Sequence, residues 1–113
     1  MTGFRCDLLN VGYRIAEDRQ SLFSYTRKAP ALTLDPVATG GPGWLEFLVA
    51  YHDFCSRHNG TPLFNQTSAV MPNQVQKAFG PEIETFLALR RERDPAGRFY
   101  TSFFKSLFES GGE

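Results

Sequence analysis

A glycine-rich segment, Thr39-Gly-Gly-Pro-Gly43, is the feature that most constrains the fold of this 113-residue chain. Glycine and proline in such a cluster interrupt both helices and strands. On the N-terminal side of the segment, apolar and polar residues alternate with the period of two that is typical of a half-buried strand. On its C-terminal side, the apolar residues recur every three or four positions, as on one face of a helix. The sequence therefore predicts strands before this segment and helices after it.

Three short strands are predicted in the first third of the chain. Residues 9–15 alternate between apolar and polar side chains, and residues 22–26 and 31–34 are the other two candidates. Pro30 cannot donate a hydrogen bond to a neighbouring strand, so we expect it at a strand end or at the edge of the sheet.

The first predicted helix begins at Trp44 and ends at His58 or Asn59. Its apolar stripe has helical spacing. The residues of this stripe are Trp44, Phe47, Leu48, Tyr51, Phe54 and Cys55. Gly60 is predicted to supply the left-handed residue beyond the end of the helix.

Two more helices are predicted in the middle of the C-terminal part. The first covers residues 72–79 and is stopped by Gly80, and the second begins at Pro81, because proline is favoured in the first turn of a helix. A turn is predicted over residues 94–97, and an amphipathic segment over residues 99–108.

Together these elements predict an α+β fold. We expect a small antiparallel sheet from the N-terminal third, with helices from the C-terminal two-thirds packed on one side of it. The length is that of a single domain, residues 1–113, which can bury a modest core without disulfides or metals. The last four residues, 110–113, are expected to fray.

The composition favours some partners and compartments over others. Twelve basic and twelve acidic residues cancel, so charge gives no reason to expect nucleic acid as a partner. No apolar run is long enough to predict a membrane span. The two cysteines, Cys6 and Cys55, are too few for a disulfide framework, and the expected location is therefore the reducing cytoplasm. Eleven phenylalanines predict either an aromatic core or an apolar face that contacts another surface.

The familiar catalytic and metal-binding patterns are weak in this chain. His52 and His58 lie six positions apart, on different faces of the predicted helix, and no further ligand completes a metal site. Cys55 could meet His58 or His52 as a nucleophile and base pair, but its place on the apolar side near the helix C-terminus favours a structural role. The segment 40–43 lacks the Lys-Ser/Thr ending of a phosphate-binding loop.

The segment Pro62-Leu-Phe-Asn-Gln-Thr67 differs from these, because it places two carboxamides and a hydroxyl among apolar residues. Amide side chains both donate and accept hydrogen bonds, so they can orient a ligand in a pocket. Alternatively, Asn65 and Gln66 satisfy the backbone of their own loop, and the residue chemistry alone favours this second interpretation.

Several blocks, taken in order, resemble the C-terminal end of FAD-linked oxidases of the vanillyl-alcohol oxidase class. The likeness is strongest to the cholesterol-oxidase and sugar-lactone-oxidase branches. The blocks are Phe23-Ser-Tyr25, Leu32-Thr-Leu34, Trp44-x-x-Phe47, Gly60-x-Pro-x-x-Asn-Gln-Thr67, Phe79-Gly80, Arg90, Asp94-Pro95, Arg98-Phe99, Phe103-Phe104 and Leu107. The chain departs from the sugar-lactone branch at Leu63-Phe-Asn65, where that branch has a His-Trp-Gly run.

The resemblance implies a cap or substrate-domain part of an oxidase that transfers hydride from an alcohol to FAD. The flavin would belong to a separate FAD-binding domain, the expected partner, because the chain lacks a dinucleotide-binding region of its own. Alone, the chain is expected to be inactive and to contain no catalytic residue. By this resemblance, Phe64, Asn65, Gln66 and Thr67 lie at the substrate and flavin pocket, and the substrate is a small-molecule alcohol.

A second hypothesis is a free-standing α+β interaction module without catalytic activity. The oxidase hypothesis predicts a large exposed apolar patch, with Asn65 directed towards it or into a half-open groove. The module hypothesis predicts a closed core in which Phe99, Phe103, Phe104 and Phe108 are mostly buried.

Overall fold

The computed structural model of the chain describes residues 8–65 and 67–109. Cys6, Gln66 and the tail at residues 110–113 that is predicted to fray lie outside the described residues. The fold is α+β, as the sequence predicts. Within the described part, a two-stranded antiparallel sheet in the N-terminal third is followed by three helices.

The sheet is formed by β1 (Arg14–Ile15) and β2 (Ala31–Leu32). In the antiparallel register, Arg14 lies opposite Leu32 and Ile15 lies opposite Ala31. An isolated bridge between Val11 and Asp35 extends the pairing of the two segments. The first and third predicted strands are therefore present, although the regular ladder is shorter than the alternation in the sequence indicates.

The second predicted strand, over residues 22–26, is wrong, because the chain forms turns there. The amide of Ser24 donates to the carbonyl oxygen of Ser21 at 3.2 Å, and the amide of Arg27 donates to that of Ser24 at 3.1 Å. The Ser24 side chain also competes with strand pairing, because its Oγ accepts a hydrogen bond from the amide of Thr26 at 3.3 Å. The turns direct Phe23 towards the aromatic core instead of along a sheet.

Helix α1 (Trp44–Arg57) begins where the sequence predicts, and its C-cap is His58. The left-handed residue after the helix is Asn59, with φ of 60°, so the prediction that assigned this role to Gly60 is wrong. Asparagine tolerates the left-handed region better than most residues. Gly60 is needed for a close approach, since a Cβ atom there would lie 2.9 Å from the carbonyl oxygen of Cys55.

Helix α2 (Pro72–Arg93) joins the two predicted middle helices across a kink. Phe79 departs from helical geometry at the kink, with φ of −130° and ψ of 20°. Pro81 explains the distortion, because it lacks an N–H group and its ring crowds the preceding turn.

Helix α3 (Ser102–Phe108) follows a turn that one carboxylate holds in place. The two oxygens of Asp94 accept hydrogen bonds from the amides of Arg98 at 2.8 Å and Phe99 at 3.0 Å. The side chain of Thr101 then caps the helix by accepting from the amide of Phe104.

The core lies between α2 and α3. Its buried apolar residues are Val75, Ala78, Phe79, Ile83, Leu107 and Phe108. Partly buried rings from elsewhere in the chain pack against this cluster, and Phe23 is central among them. The centroid of the Phe23 ring lies 5.4–5.6 Å from the centroids of Phe64, Phe79, Phe86 and Phe108. These distances are those of favourable aromatic pairs.

Candidate functional site

An open groove separates α1 from the two paired segments that contain β1 and β2, residues 11–15 and 31–35, which form the β1–β2 hairpin. The two hairpin segments form one wall, the inward face of α1 forms the other, and residues 60–63 with 67, 68 and 70 complete the lining. The cavity volume is about 1080 Å³. Pockets that enclose drug-sized ligands measure roughly 300–1,000 Å³, so this groove is large for the size of the chain.

The α1 wall is apolar but is not closed by the rest of the chain. Trp44, Leu48, Tyr51 and Cys55 line the groove from this helix, and each of them is only half-buried. No residue of α1 is fully buried. The apolar stripe that the sequence predicts on this helix therefore borders a groove along much of its length.

Stacked rings stiffen this wall. The rings of Trp44 and Phe47 are 5.4 Å apart and nearly parallel at 14°, and Phe47 stacks on Tyr51 at 5.9 Å and 13°. Trp44 and Tyr51 line the groove, whereas Phe47 is not among the described residues of the lining. Phe47 therefore supports the two wall rings by stacking on them without lining the groove itself.

Hydrogen bonds tie α1 to the other sides of the groove. The Tyr51 hydroxyl donates to the carbonyl oxygen of Leu34 at 2.5 Å, which connects the helix to the hairpin. Nε2 of His52 lies 2.6 Å from the carbonyl oxygen of Ser68. A carbonyl oxygen can only accept, so Nε2 of His52 bears the proton. These two side chains thus hold the groove open at a fixed width.

Cys55 does not have the character of a nucleophile. Burial raises the pKa of its thiol above the ordinary value, although a hydrogen bond with Tyr51 partly opposes this effect. Burial, followed by the proximity of Cys55 and Asp35, also raises the pKa of the Tyr51 hydroxyl far above its usual range. Both groups are therefore protonated and uncharged near neutral pH, and a reactive thiolate is not available.

Charged side chains are sparse in the groove. Among the described lining residues, Lys28 is the one lysine or arginine, and Asp35 is the one carboxylate. The ammonium of Lys28 donates to the carbonyl oxygen of Ala78 at 2.8 Å, so it already has a partner in α2. Two histidines, His52 and His58, also line the groove, and the rest of the described lining is mainly apolar or uncharged.

The structure separates the four residues that the resemblance assigns to a pocket. Thr67 lines the groove. Phe64 instead packs in the aromatic core, with its ring centroid 5.1 Å from that of Phe79. Asn65 is exposed and is not among the described residues of the lining, and Gln66 lies outside the described residues.

The sequence did not indicate the hairpin wall or the role of Tyr51. The tyrosine belongs to an apolar stripe that also predicts burial, and spacing alone does not distinguish a core face from a groove face. A signal was nevertheless present. Tyr51 in the stripe is followed directly by His52, and such side chains need hydrogen-bond partners when they are half-buried.

Exposed apolar side chains also occur outside the groove. Phe99 is 87% exposed, Phe103 and Leu89 are exposed as well, and none of the three lines the groove. The turn that presents Phe99 is held by the carboxylate of Asp94, and the guanidinium of Arg90 lies 4.5 Å from the centre of the Tyr100 ring.

The described residues do not fit a metal ion or a dinucleotide. They contain no group of three or more His, Cys, Asp or Glu side chains that could hold a metal. The diphosphate of FAD needs several donors or cations, and the one groove lysine is bonded to a backbone carbonyl. In the glycine-rich segment, Pro42 has no N–H group to offer.

Comparison of the chain with protein-family models, curated proteins and solved structures gives no match. None of the helices in the described part of the chain combines the length and the apolar character that a bilayer-spanning segment requires.

Proposed function

We propose that this chain is the C-terminal portion of an FAD-dependent oxidoreductase that oxidises an alcohol, and that its groove forms the substrate side of the active site. The observation that supports this most is the open groove of about 1080 Å³, bordered by a helix with no fully buried residue. A wall of this kind is complete only when another surface or a ligand covers it.

Exposed apolar side chains in and beside the groove support contact with a second surface. In the hairpin wall of the groove, Leu32 is 77% exposed and Leu34 is 62% exposed. On α1, Leu45 is 63% exposed and Val49 is also exposed, and both lie outside the groove lining. Large exposed apolar side chains of this kind are typical of a surface that contacts a partner. In this proposal the partner is the FAD-binding domain.

The groups in the groove indicate which tasks this chain and the FAD-binding domain would each perform. Its described residues do not fit the flavin diphosphate, so the partner domain holds FAD and supplies the acid and base groups. This chain binds and orients the substrate and excludes water from it. Alone it is inactive, and the proposed compartment is the reducing cytoplasm, because Cys55 is a free thiol.

A free-standing interaction module is the second candidate, and the structure bears out only part of what it predicts. Of the four rings that it expects to be buried, Phe108 is buried and Phe104 is partly buried, whereas Phe99 and Phe103 are exposed. On this hypothesis the same exposed walls bind a protein partner, and no flavin is involved.

The two candidates differ in the colour of the native material. The chain should be isolated from its own cells, with whatever polypeptide it is joined or bound to, and compared with the recombinant chain by visible absorption. The proposal predicts a flavin band in the native material that bleaches when an alcohol substrate is added without oxygen. Native material that contains a partner but no flavin would support the module and contradict the oxidase.

A further inference from the structure

The hairpin borders the groove in two different ways. Five consecutive residues of the β2 segment, Ala31 to Asp35, line the groove. Neighbouring residues of a strand direct their side chains to opposite faces, so a lining of consecutive residues indicates that the cavity borders the strand along its edge. From the β1 segment, the described lining contains the alternate residues Val11, Tyr13 and Ile15. The β1 segment therefore contributes one face, and the β2 segment contributes an edge.

The register of the hairpin determines which backbone groups this edge presents. The amide of Thr33 donates to the carbonyl oxygen of Tyr13 at 2.8 Å, so these two residues form a hydrogen-bonded pair. In an antiparallel ladder such pairs alternate with positions whose backbone groups point away from the partner strand. The amides and carbonyl oxygens of Leu32 and Leu34 therefore point away from β1. We call the side of residues 31–35 that presents them the β2 edge.

Helix α1 lies across the groove from the β2 edge. The Tyr51 hydroxyl donates to the carbonyl oxygen of Leu34 at 2.5 Å and so occupies one outward group. Among the described residues, no hydrogen bond from a loop or a side chain reaches the amide of Leu34 or either backbone group of Leu32. Both leucines are exposed. An open strand edge of this kind is a template for pairing with another strand.

The two ends of the β2 edge carry opposite charges. Lys28 precedes β2 and Asp35 ends the segment, and both are exposed residues of the groove lining. The ion pairs of the described residues involve other side chains. Lys28 uses one of its three N–H groups to bond the carbonyl oxygen of Ala78, and two remain. The two histidines of the lining, His52 and His58, belong to the opposite wall, in α1 and at its C-cap.

This polarity defines the charge of a complementary strand. A segment that pairs antiparallel with residues 31–35 begins beside Asp35 and ends beside Lys28. A basic residue at its N-terminal end and an acidic residue at its C-terminal end would therefore each meet the opposite charge, which favours one orientation and one set of partners over others.

We propose that the groove binds an extended segment of a partner protein, which pairs with the β2 edge as a third, antiparallel strand. Main-chain hydrogen bonds to Leu32 and to the amide of Leu34 hold the segment, and its alternate side chains contact the groove walls. Its basic end lies near Asp35 and its acidic end near Lys28. The inference rests on the proposed function only for the identity of the partner, which would be the FAD-binding domain. The pairing itself needs no flavin.

A synthetic strand tests the pairing on this chain alone. The probe is an acetylated and amidated peptide of alternating valine and threonine, with arginine at its N-terminal end and glutamate at its C-terminal end. At about 3.3 Å per residue, a length of about seven residues covers the edge and reaches both charges. Because backbone groups supply the pairing, the peptide needs only a strand-forming sequence and the two charges.

Trp44 reports the binding, since it is the single tryptophan of the chain and lines the groove. We expect its fluorescence to change saturably with peptide concentration. Binding should be weaker by about fivefold or more for a peptide with its two charges exchanged. It should be weaker by about tenfold or more when the peptide amides that face the β2 edge are methylated, because each lost donor removes a main-chain hydrogen bond.

Hydrogen exchange locates the peptide on the β2 edge. The amide of Leu32 points into the groove, and at saturation its exchange should slow by about tenfold or more. The amide of Arg14 is the matched control. Arg14 lies opposite Leu32 in the register, so its backbone groups point away from the other side of the hairpin and its exchange should not change.

A double variant tests the orientation. Lys28→Glu combined with Asp35→Lys exchanges the charges at the two ends and should reverse the preference, so that the charge-exchanged peptide binds about fivefold more tightly. A variant that has lost its fold would bind neither peptide and cannot imitate this reversal. Arg14→Glu, outside the described groove lining, should leave the preference unchanged. The wild-type peptide series is decisive even if the double variant does not fold.

Four results would overturn the inference. The peptide could fail to bind, the charge-exchanged peptide could bind equally well, or the methylated peptide could bind equally well. The amide of Leu32 could also be protected before peptide is added and lose this protection on dilution, which would assign the edge to a second copy of the chain. A coloured native oxidase whose chain binds no peptide would refute the inference alone. Peptide binding by a chain whose native partner contains no flavin would refute the oxidase proposal alone.

Discussion

The two halves of this molecule bury their apolar side chains to different extents. Between α2 and α3, rings from four parts of the chain converge on Phe79 and Phe108, and the core is closed. Between α1 and the hairpin, the same kinds of side chain border a groove and stay half-buried. The closed half supplies most of the stability, because buried apolar area is the dominant favourable contribution to folding. The open half is available for function.

The largest expected effect is in the closed half. Phe79 is 2% exposed, so Phe79→Ala should lower the free energy of unfolding by about 3–5 kcal/mol. Urea denaturation followed by far-UV circular dichroism measures this change. Phe99→Ala is the matched control, since Phe99 is exposed, and should change stability by less than about 0.5 kcal/mol. Similar losses at both positions would mean that the core is not where the structure places it.

An intermediate effect on stability is expected at Gly60, which lines the groove and lies against the last turn of α1. Gly60→Ala would place a Cβ atom 2.9 Å from the carbonyl oxygen of Cys55, and the backbone must shift to relieve this contact. We expect a loss of about 1–3 kcal/mol. Gly80→Ala is the control, because its Cβ atom would meet only a flexible glutamine side chain at 3.9 Å. That helical substitution should stabilise the protein by about 0.5–1 kcal/mol. Equal effects in thermal unfolding would contradict the account of this loop.

A smaller effect is expected from the bond that ties α1 to the hairpin. Tyr51→Phe removes the donor to the carbonyl oxygen of Leu34 and should cost about 1 kcal/mol. The same substitution at exposed Tyr13 should cost almost nothing. Hydrogen exchange of the hairpin amides should accelerate in the Tyr51 variant alone. Unchanged exchange there would show that the bond does not fix the width of the groove.

The smallest effect concerns the Cys55 thiol, whose pKa burial raises. In a background with Cys6→Ser, alkylation by iodoacetamide should be slower than for an unfolded peptide at neutral pH, and should rise only at higher pH. The thiol ionises more readily in the unfolded chain, so its contribution to stability is complete below the ordinary thiol pKa. That contribution is lost as pH rises towards the higher folded value. Alkylation faster than in the peptide would indicate an activated thiolate.

The sequence predicted the elements of the closed half better than the geometry of the open half. Helical spacing and Pro72 located the start of α2, because these signals are local, whereas the break that was predicted between two helices at Gly80 and Pro81 is a kink within one helix. The turns at residues 22–26 were predicted as a strand, since alternation does not reveal that serine hydroxyls bond locally there. The groove could not be predicted, because whether an apolar stripe is covered depends on contacts between distant parts of the chain.

Residues 62–67 show the same limit of sequence-based prediction at single positions. Phe64 and Thr67 are three positions apart, yet one packs in the core and the other lines the groove. The sequence places both in one loop and gives no means of separating them. Their surroundings are set by Phe79 on one side and by α1 on the other, and these contacts form only in the folded chain.

Native-state hydrogen exchange resolved by residue tests the division into two halves most directly. The account predicts that the buried part of α2, around Val75 to Ile83, exchanges only through global unfolding, while α1 and the hairpin exchange through local opening at a clearly lower free energy. If α1 were as protected as α2 in the free protein, the groove would be a closed part of the core, and the central claim would be contradicted.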